Sequence, residues 1–179
     1  MRVIVALLVF ALTAWGSHVV VLGAIPGVIM GKAQEKMAER GIPMDRWVAT
    51  PRVSPQTQTV VRPAPDLSYA VCRFDVSKGP VFLNAPKWDG YGSLSVFDDR
   101  TNNVFVGNLQ PGSDFDGVIL HAPGQAPLED GRGYAANGMA VVEMDAPGLA
   151  LIRRLAPDEE SQAASSALVK DAYCGNPER

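Results

Sequence analysis

Six residues with side chains able to do chemistry fall beside short apolar runs: Asp66, Tyr69, Arg73, Tyr91, Ser93 and His121. A carboxylate, two phenols, a guanidinium, a hydroxyl and an imidazole could together do acid–base work or hold a polar ligand. Their spacing commits none of them to a reaction. The chain has no Gly-x-Ser-x-Gly elbow, no Gly-rich phosphate loop and no His-Glu-x-x-His pair. Its two histidines, His18 and His121, and two cysteines, Cys72 and Cys174, lack the spacing of a metal site. Asp114 and Asp116 in "SDFDG" lack the further ligands of a calcium loop and read as turn residues. His121 closes a predicted strand, where a structural role is the commoner one. No metal or other cofactor is expected, and the six residues stand as a candidate binding set rather than a catalytic one.

The elements that must position them are short strands. With 17 glycines, 14 prolines and 47% hydrophobic residues, the chain reads as many turns joining apolar runs, not as disorder. "TVVR", "SYAVCRFDV", "PVFLNA", "YGSLSVFD", "NVFVGN" and "GVILHA" are rich in β-branched and aromatic residues and bounded by turn chemistry such as "SKGP", "APKWDG" and "DDRTNN". In the second run Ala70, Cys72, Phe74 and Val76 share one face, and Tyr69, Val71, Arg73 and Asp75 the other. "MAVVEM" and "LALIRRL" around "DAPG" read as a hairpin, with Asn137-Gly138 a turn before it. The aspartates Asp66, Asp75, Asp89, Asp98 and Asp99 at strand ends are set to cap turns or pair with Arg73, Arg100 or Arg153.

A helix follows. Pro157 suits its first position, Asp158 to Glu160 complement its dipole, Ala164, Ala167, Leu168 and Ala172 form its apolar face, and Gly175-Asn176-Pro177 ends it. Several short strands and one closing helix predict a mainly β, sandwich-type domain over residues 57–179. Cys174 beside the helix end would reach back to Cys72, closing a loop worth about 4–5 kcal/mol in chain entropy. Two unpaired thiols are the other reading.

The opposite end of the chain differs in texture. From Arg2 to Lys32 there is no charge, long enough to cross a bilayer core of about 20 residues. Residues 1–28 are expected to form a transmembrane signal anchor, although Ala14-Trp15-Gly16 offers a passable cleavage site. His18 within it would face a partner helix or snorkel, or else serve as a functional intramembrane group. Residues 29–56 follow as a short juxtamembrane helix and a Pro-containing linker. Met30, Ala33 and Met37 make the helix's apolar stripe, and Lys32, Lys36 and Arg40 a basic one that is either solvated or laid on headgroups. Trp47 would dock on the domain or sit in the headgroup zone. A net charge of −3 gives nucleic acid no electrostatic footing.

"PAPDLSYAVCRFDVSKGPVFLNAP", the following "GYGSLSVFDDRTNNVFVGN", and "MAVVEMDAPGLALIRRL" with Asp158 after it resemble the bacterial family called domain of unknown function 1254. The likeness covers roughly residues 57–173 and includes Tyr91, Ser93 and Phe97 of the second motif. It implies an immunoglobulin-like β-sandwich. Short members resemble this chain, with an N-terminal membrane anchor and an outward-facing domain. Longer members append a second β-domain, known as domain of unknown function 1214, which is missing here. The family carries no established activity, so no residue inherits a catalytic role. Ala64 stands where many members have Ser or Asn.

The expectation is a single-pass protein of the inner (cytoplasmic) membrane, with its C-terminal domain in the periplasm, where a disulfide persists. It would bind or assemble with another envelope protein, including a separate chain carrying the missing second domain. An enzyme of unknown reaction, with its site among the six residues, and a small-ligand carrier with a cavity between sheets are the alternatives.

Overall fold

The computed structural model describes residues 1–54, 63–125, 139–145 and 147–176. In chain order the elements are helix α1 (Arg2–Glu39), β1 (Val48–Ala49), β2 (Leu67–Phe74), β3 (Val81–Leu83), β4 (Gly92–Phe97), β5 (Asn103–Asn108), β6 (Gly117–His121), β7 (Met139–Glu143), β8 (Gly148–Leu155), α2 (Glu159–Ala167) and β9 (Cys174–Gly175). The expected strand "TVVR" and the Asn137-Gly138 turn lie outside the described residues.

Alternation decides which side each strand buries. In β2, Ala70, Cys72 and Phe74 are buried on one side while Tyr69 and Arg73 on the other stay half-buried. Five strands form one sheet in the order β1-β2-β8-β4-β5, antiparallel throughout, called here the anchor-side sheet. Four form the second, β7-β6-β3-β9, in which β6 and β7 run parallel. One buried cluster joins them: Phe74, Leu94, Val96 and Ile152 from the first, Val81, Leu83, Val118 and Leu120 from the second. Cys72 of β2 and Cys174 of β9 are bonded, stapling the two sheets across 102 positions of chain.

Three expectations change. Residues 139–155 do not form a hairpin: β7 pairs with β6 in one sheet, and β8 lies between β2 and β4 in the other. The chain passes from one sheet to the other between β7 and β8. Gly148 starts β8 where a Cβ would stand 2.4 Å from Phe74 Cζ, so only glycine fits that crossing.

Helix α2 is capped by Asp158, whose side chain accepts from Ser161 N–H, so Pro157 precedes the cap rather than opening the helix. Its buried residues are Gln162 and Ser165, while Ala164 and Ala167 face solvent. The polar pair wins because each has a partner: Gln162 donates to Ala156 O at 2.8 Å and Ser165 to Ser68 Oγ at 3.0 Å.

The anchor and the juxtamembrane helix are one helix. Nothing in Arg2–Glu39 breaks it, although Pro26 lies inside. Proline has no N–H, so the carbonyl of Leu22 loses its donor. The adjacent carbonyl, Gly23 O, accepts from Arg100 Nη2 at 3.0 Å, a bond from the β4–β5 turn. Beyond that point one helical face turns to the domain: Met30 is buried, and Pro26, Ala33, Gln34 and Met37 are partly buried. Before it, Val3, Leu7, Phe10, Trp15 and Leu22 are all exposed. This single apolar helix is long enough to anchor in a membrane.

Candidate functional site

The six sequence-selected residues do not converge. Tyr69, Tyr91 and Ser93 come together on the outer side of the anchor-side sheet. Tyr69 and Ser93 lie directly across from Arg153 on its two sides, in β2 and β4. Tyr91, just before β4, has its hydroxyl 3.1 Å from Ser93 Oγ. Tyr69 OH accepts from Ala64 N–H at 2.9 Å, so its ring position is set by the bend before β2.

The centre of this group is Arg153. Its Nη2 donates to Ser95 Oγ at 2.9 Å, and its Nε is buried with no hydrogen-bond partner. The flanking rows are Val71, Leu151, Ser95 and Val106 on one side and Leu67 and Leu155 on the other. The part of this face around Arg153 is therefore built from aromatic, aliphatic and hydroxyl side chains. Arg153 and Ser95 were not singled out as site residues. Alternation along "LALIRRL" places one of the two arginines outward, which was the available signal.

Arg73 lies further along the same side of β2 but is already engaged. Its Nε donates to Gln34 Oε1 at 2.8 Å and its Nη1 to Ile42 O at 2.9 Å. Gln34 in turn donates to Gly148 O at 2.8 Å. Arg73 thus fastens α1 to the domain. Trp47 does the same for the following segment, buried with its indole N–H on Tyr173 O at 2.8 Å.

His121 belongs to the other sheet. It is buried at the end of β6, in register with Glu143 of β7, and its Nδ1 is 3.1 Å from Ala122 O. Asp66 is exposed ahead of β2, and its backbone carbonyl accepts from Ala156 N–H. Two of the five aspartates at strand ends cap turns: Asp75 accepts from Ser77, and Asp98 from the N–H groups of Arg100 and Asn102. Among the described residues no three His, Cys, Asp or Glu side chains group to hold a metal.

Arg154, the next residue, points inward and is fully buried. It donates to Ser165 O near the C-terminus of α2 and to Pro86 O, at 3.1 and 2.9 Å. Its guanidinium lies 5.9 Å from the Trp88 ring centre. Burial pushes its pKa down from the ordinary arginine value. Its partners are carbonyls of the loop and helix that close the core, which makes it a structural pin.

Fold and site define a mainly β domain, two sheets and a C-terminal helix, carried on one apolar N-terminal helix. The chain belongs to the family designated DUF1254, proteins of unknown function, whose profile matches residues 44–173. That match begins just past α1 and ends one residue before Cys174. Among solved structures, the VPA0106 protein from Vibrio parahaemolyticus is similar with a TM-score of 0.60 at 14% identity. The similarity covers 86% of this chain and 35% of that one, so this chain spans about a third of its length. No curated protein matches the chain.

Proposed function

We propose that the protein is a single-pass anchored domain of the bacterial inner membrane, an immunoglobulin-like sandwich held in the periplasm, which binds another envelope protein. The observation that carries this reading is the way anchor and domain are fastened. Arg100 grips Gly23, and Arg73 with Gln34 closes a second contact eleven positions further along α1. From Val3 to Leu22 the helix is about 30 Å long at 1.5 Å per residue, the thickness of a hydrocarbon core. The domain is thereby held at a fixed height just outside the bilayer, as suits a platform for a neighbour in the same membrane. Lys32, Lys36 and Arg40 then stand about 14 Å or more beyond Gly23, past the headgroups rather than among them.

The disulfide supports the oxidising side of the membrane. The separation of His121 from Tyr91 and Ser93, on different sheets, supports binding over catalysis. The test is the size of the full-length protein released from its own membranes in several mild detergents. A discrete assembly heavier than the 19.1 kDa monomer is expected, and a monomer in every detergent overturns the reading.

A further inference from the structure

We infer that the outer face of the anchor-side sheet, centred on Arg153, is the docking surface, and that the partner segment it receives presents a carboxylate to that arginine. This rests on the reading of the protein as a binding domain and names its surface.

The charge balance of the face is the first observation. Around Arg153 the outward rows carry Leu67, Tyr69, Leu151, Leu155 and Val106, with Val71, Ser93 and Ser95 buried among them. None is acidic. Arg73 is taken up by α1, so its donors are not available to a partner. Arg153 has one hydroxyl contact, an unpartnered Nε, and no carboxylate within ion-pair distance among the described residues. Arg154 also keeps an unpartnered Nε but is closed in by carbonyls, whereas Arg153 is only partly buried and can accept an anion. A protein carboxylate matches its fork.

The second observation is the composition around it. Tyr91, Leu155 and Val106 are 45%, 41% and 56% exposed, and Tyr69 and Leu151 are half-buried beside them. Aromatic and aliphatic surface encircling one arginine is the make-up of the centre of a protein interface, where surrounding contacts exclude water from the charged pair. Ser95 Oγ accepts from Arg153 and holds it across the sheet, while Ser93 Oγ meets the Tyr91 hydroxyl beside it.

The third observation is access. Among the described residues β5 is an edge strand of this sheet, and it carries no lysine or proline to block approach. A partner can therefore reach Arg153 over β5 from the side away from β1.

The experiment uses the full chain in its native membrane. A photo-crosslinking phenylalanine is placed at Tyr91 or Val106 on this face, and at Val141, 39% exposed on β7 of the other sheet. We expect one adduct of the same mass from Tyr91 and Val106 and none from Val141. Arg153→Ala and Arg153→Glu should lower its yield at least about tenfold, with Arg153→Lys retaining part. Sequencing the crosslinked peptide should place an Asp, a Glu or a C-terminal carboxylate within it. Neutralising that group should cost as much as Arg153→Ala and add nothing to it. The Cys72–Cys174 bond on a non-reducing gel reports folding of every variant. Adducts at Val141 alone, or yields unchanged in Arg153→Ala, overturn this surface while leaving a binding domain standing. No adduct at any position, with a monomer in every detergent, overturns both.

Discussion

Gln34 and Arg73 face each other across the junction of helix and sheet, with Arg73 Nε donating to Gln34 Oε1 at 2.8 Å. The amide is used at both ends, since its nitrogen donates to Gly148 O. Two strands far apart in sequence, β2 and β8, are thus tied to one residue of α1. Gln34→Ala should loosen the helix without unfolding the sheets, costing about 1–2 kcal/mol for the two lost bonds. Spin labels at the exposed Lys36 and Lys78 should give one narrow distance distribution in the parent and a broad one in the variant.

Removing the staple should cost more. Cys72→Ser with Cys174→Ser frees 102 positions of chain and should lower stability by about 2–5 kcal/mol. A denaturant melt of the domain with and without reductant checks this, the parent losing as much on reduction as the double variant has already lost.

The adjacent arginines should behave in opposite ways. Arg154→Ala leaves Ser165 O and Pro86 O without their donor and a void beside Trp88, at a cost of about 3 kcal/mol or more. Arg153→Ala removes one hydroxyl contact at a half-buried position and should cost under about 1 kcal/mol. Thermal melts of the two variants side by side separate the structural residue from the one proposed to meet a partner.

Helix α2 should be acid-sensitive. Hydrogen bonds from Ser161, first its N–H and then its hydroxyl, hold the Asp158 carboxyl below the usual aspartate range. The depressed value makes this a contribution present above the ordinary aspartate pKa and lost as pH falls through the lower folded one. The parent should therefore exceed Asp158→Asn in stability at neutral pH, and the difference should vanish at strongly acidic pH in paired melts.

Much of this architecture was legible because it rests on local rules. The alternation in "SYAVCRFDV" gave β2 its inward Cys72 and Phe74, and the strands after it appear where turn residues bound them. "MAVVEMDAPGLALIRRL" was misread because a Pro-Gly turn reports a reversal without saying which sheet the next strand joins. The buried side of α2 was misjudged because hydrogen bonds from Gln162 and Ser165 to distant residues outweigh the alanines' apolarity. The Gln34–Arg73 contact spans 39 positions and leaves no periodic trace. Of the six candidate residues, Tyr69, Tyr91 and Ser93 share a face with Arg153, whose outward side alternation alone does not distinguish from that of its neighbour Arg154.

Native mass spectrometry of the full-length protein, released from its membrane with and without Arg153→Glu, tests the central claim most directly. The account predicts a defined heteromeric mass for the parent that falls to the monomer in the variant, with the Cys72–Cys174 bond intact in both. A parent that is monomeric under every mild detergent, or a heteromer that survives the charge reversal unchanged, would contradict it.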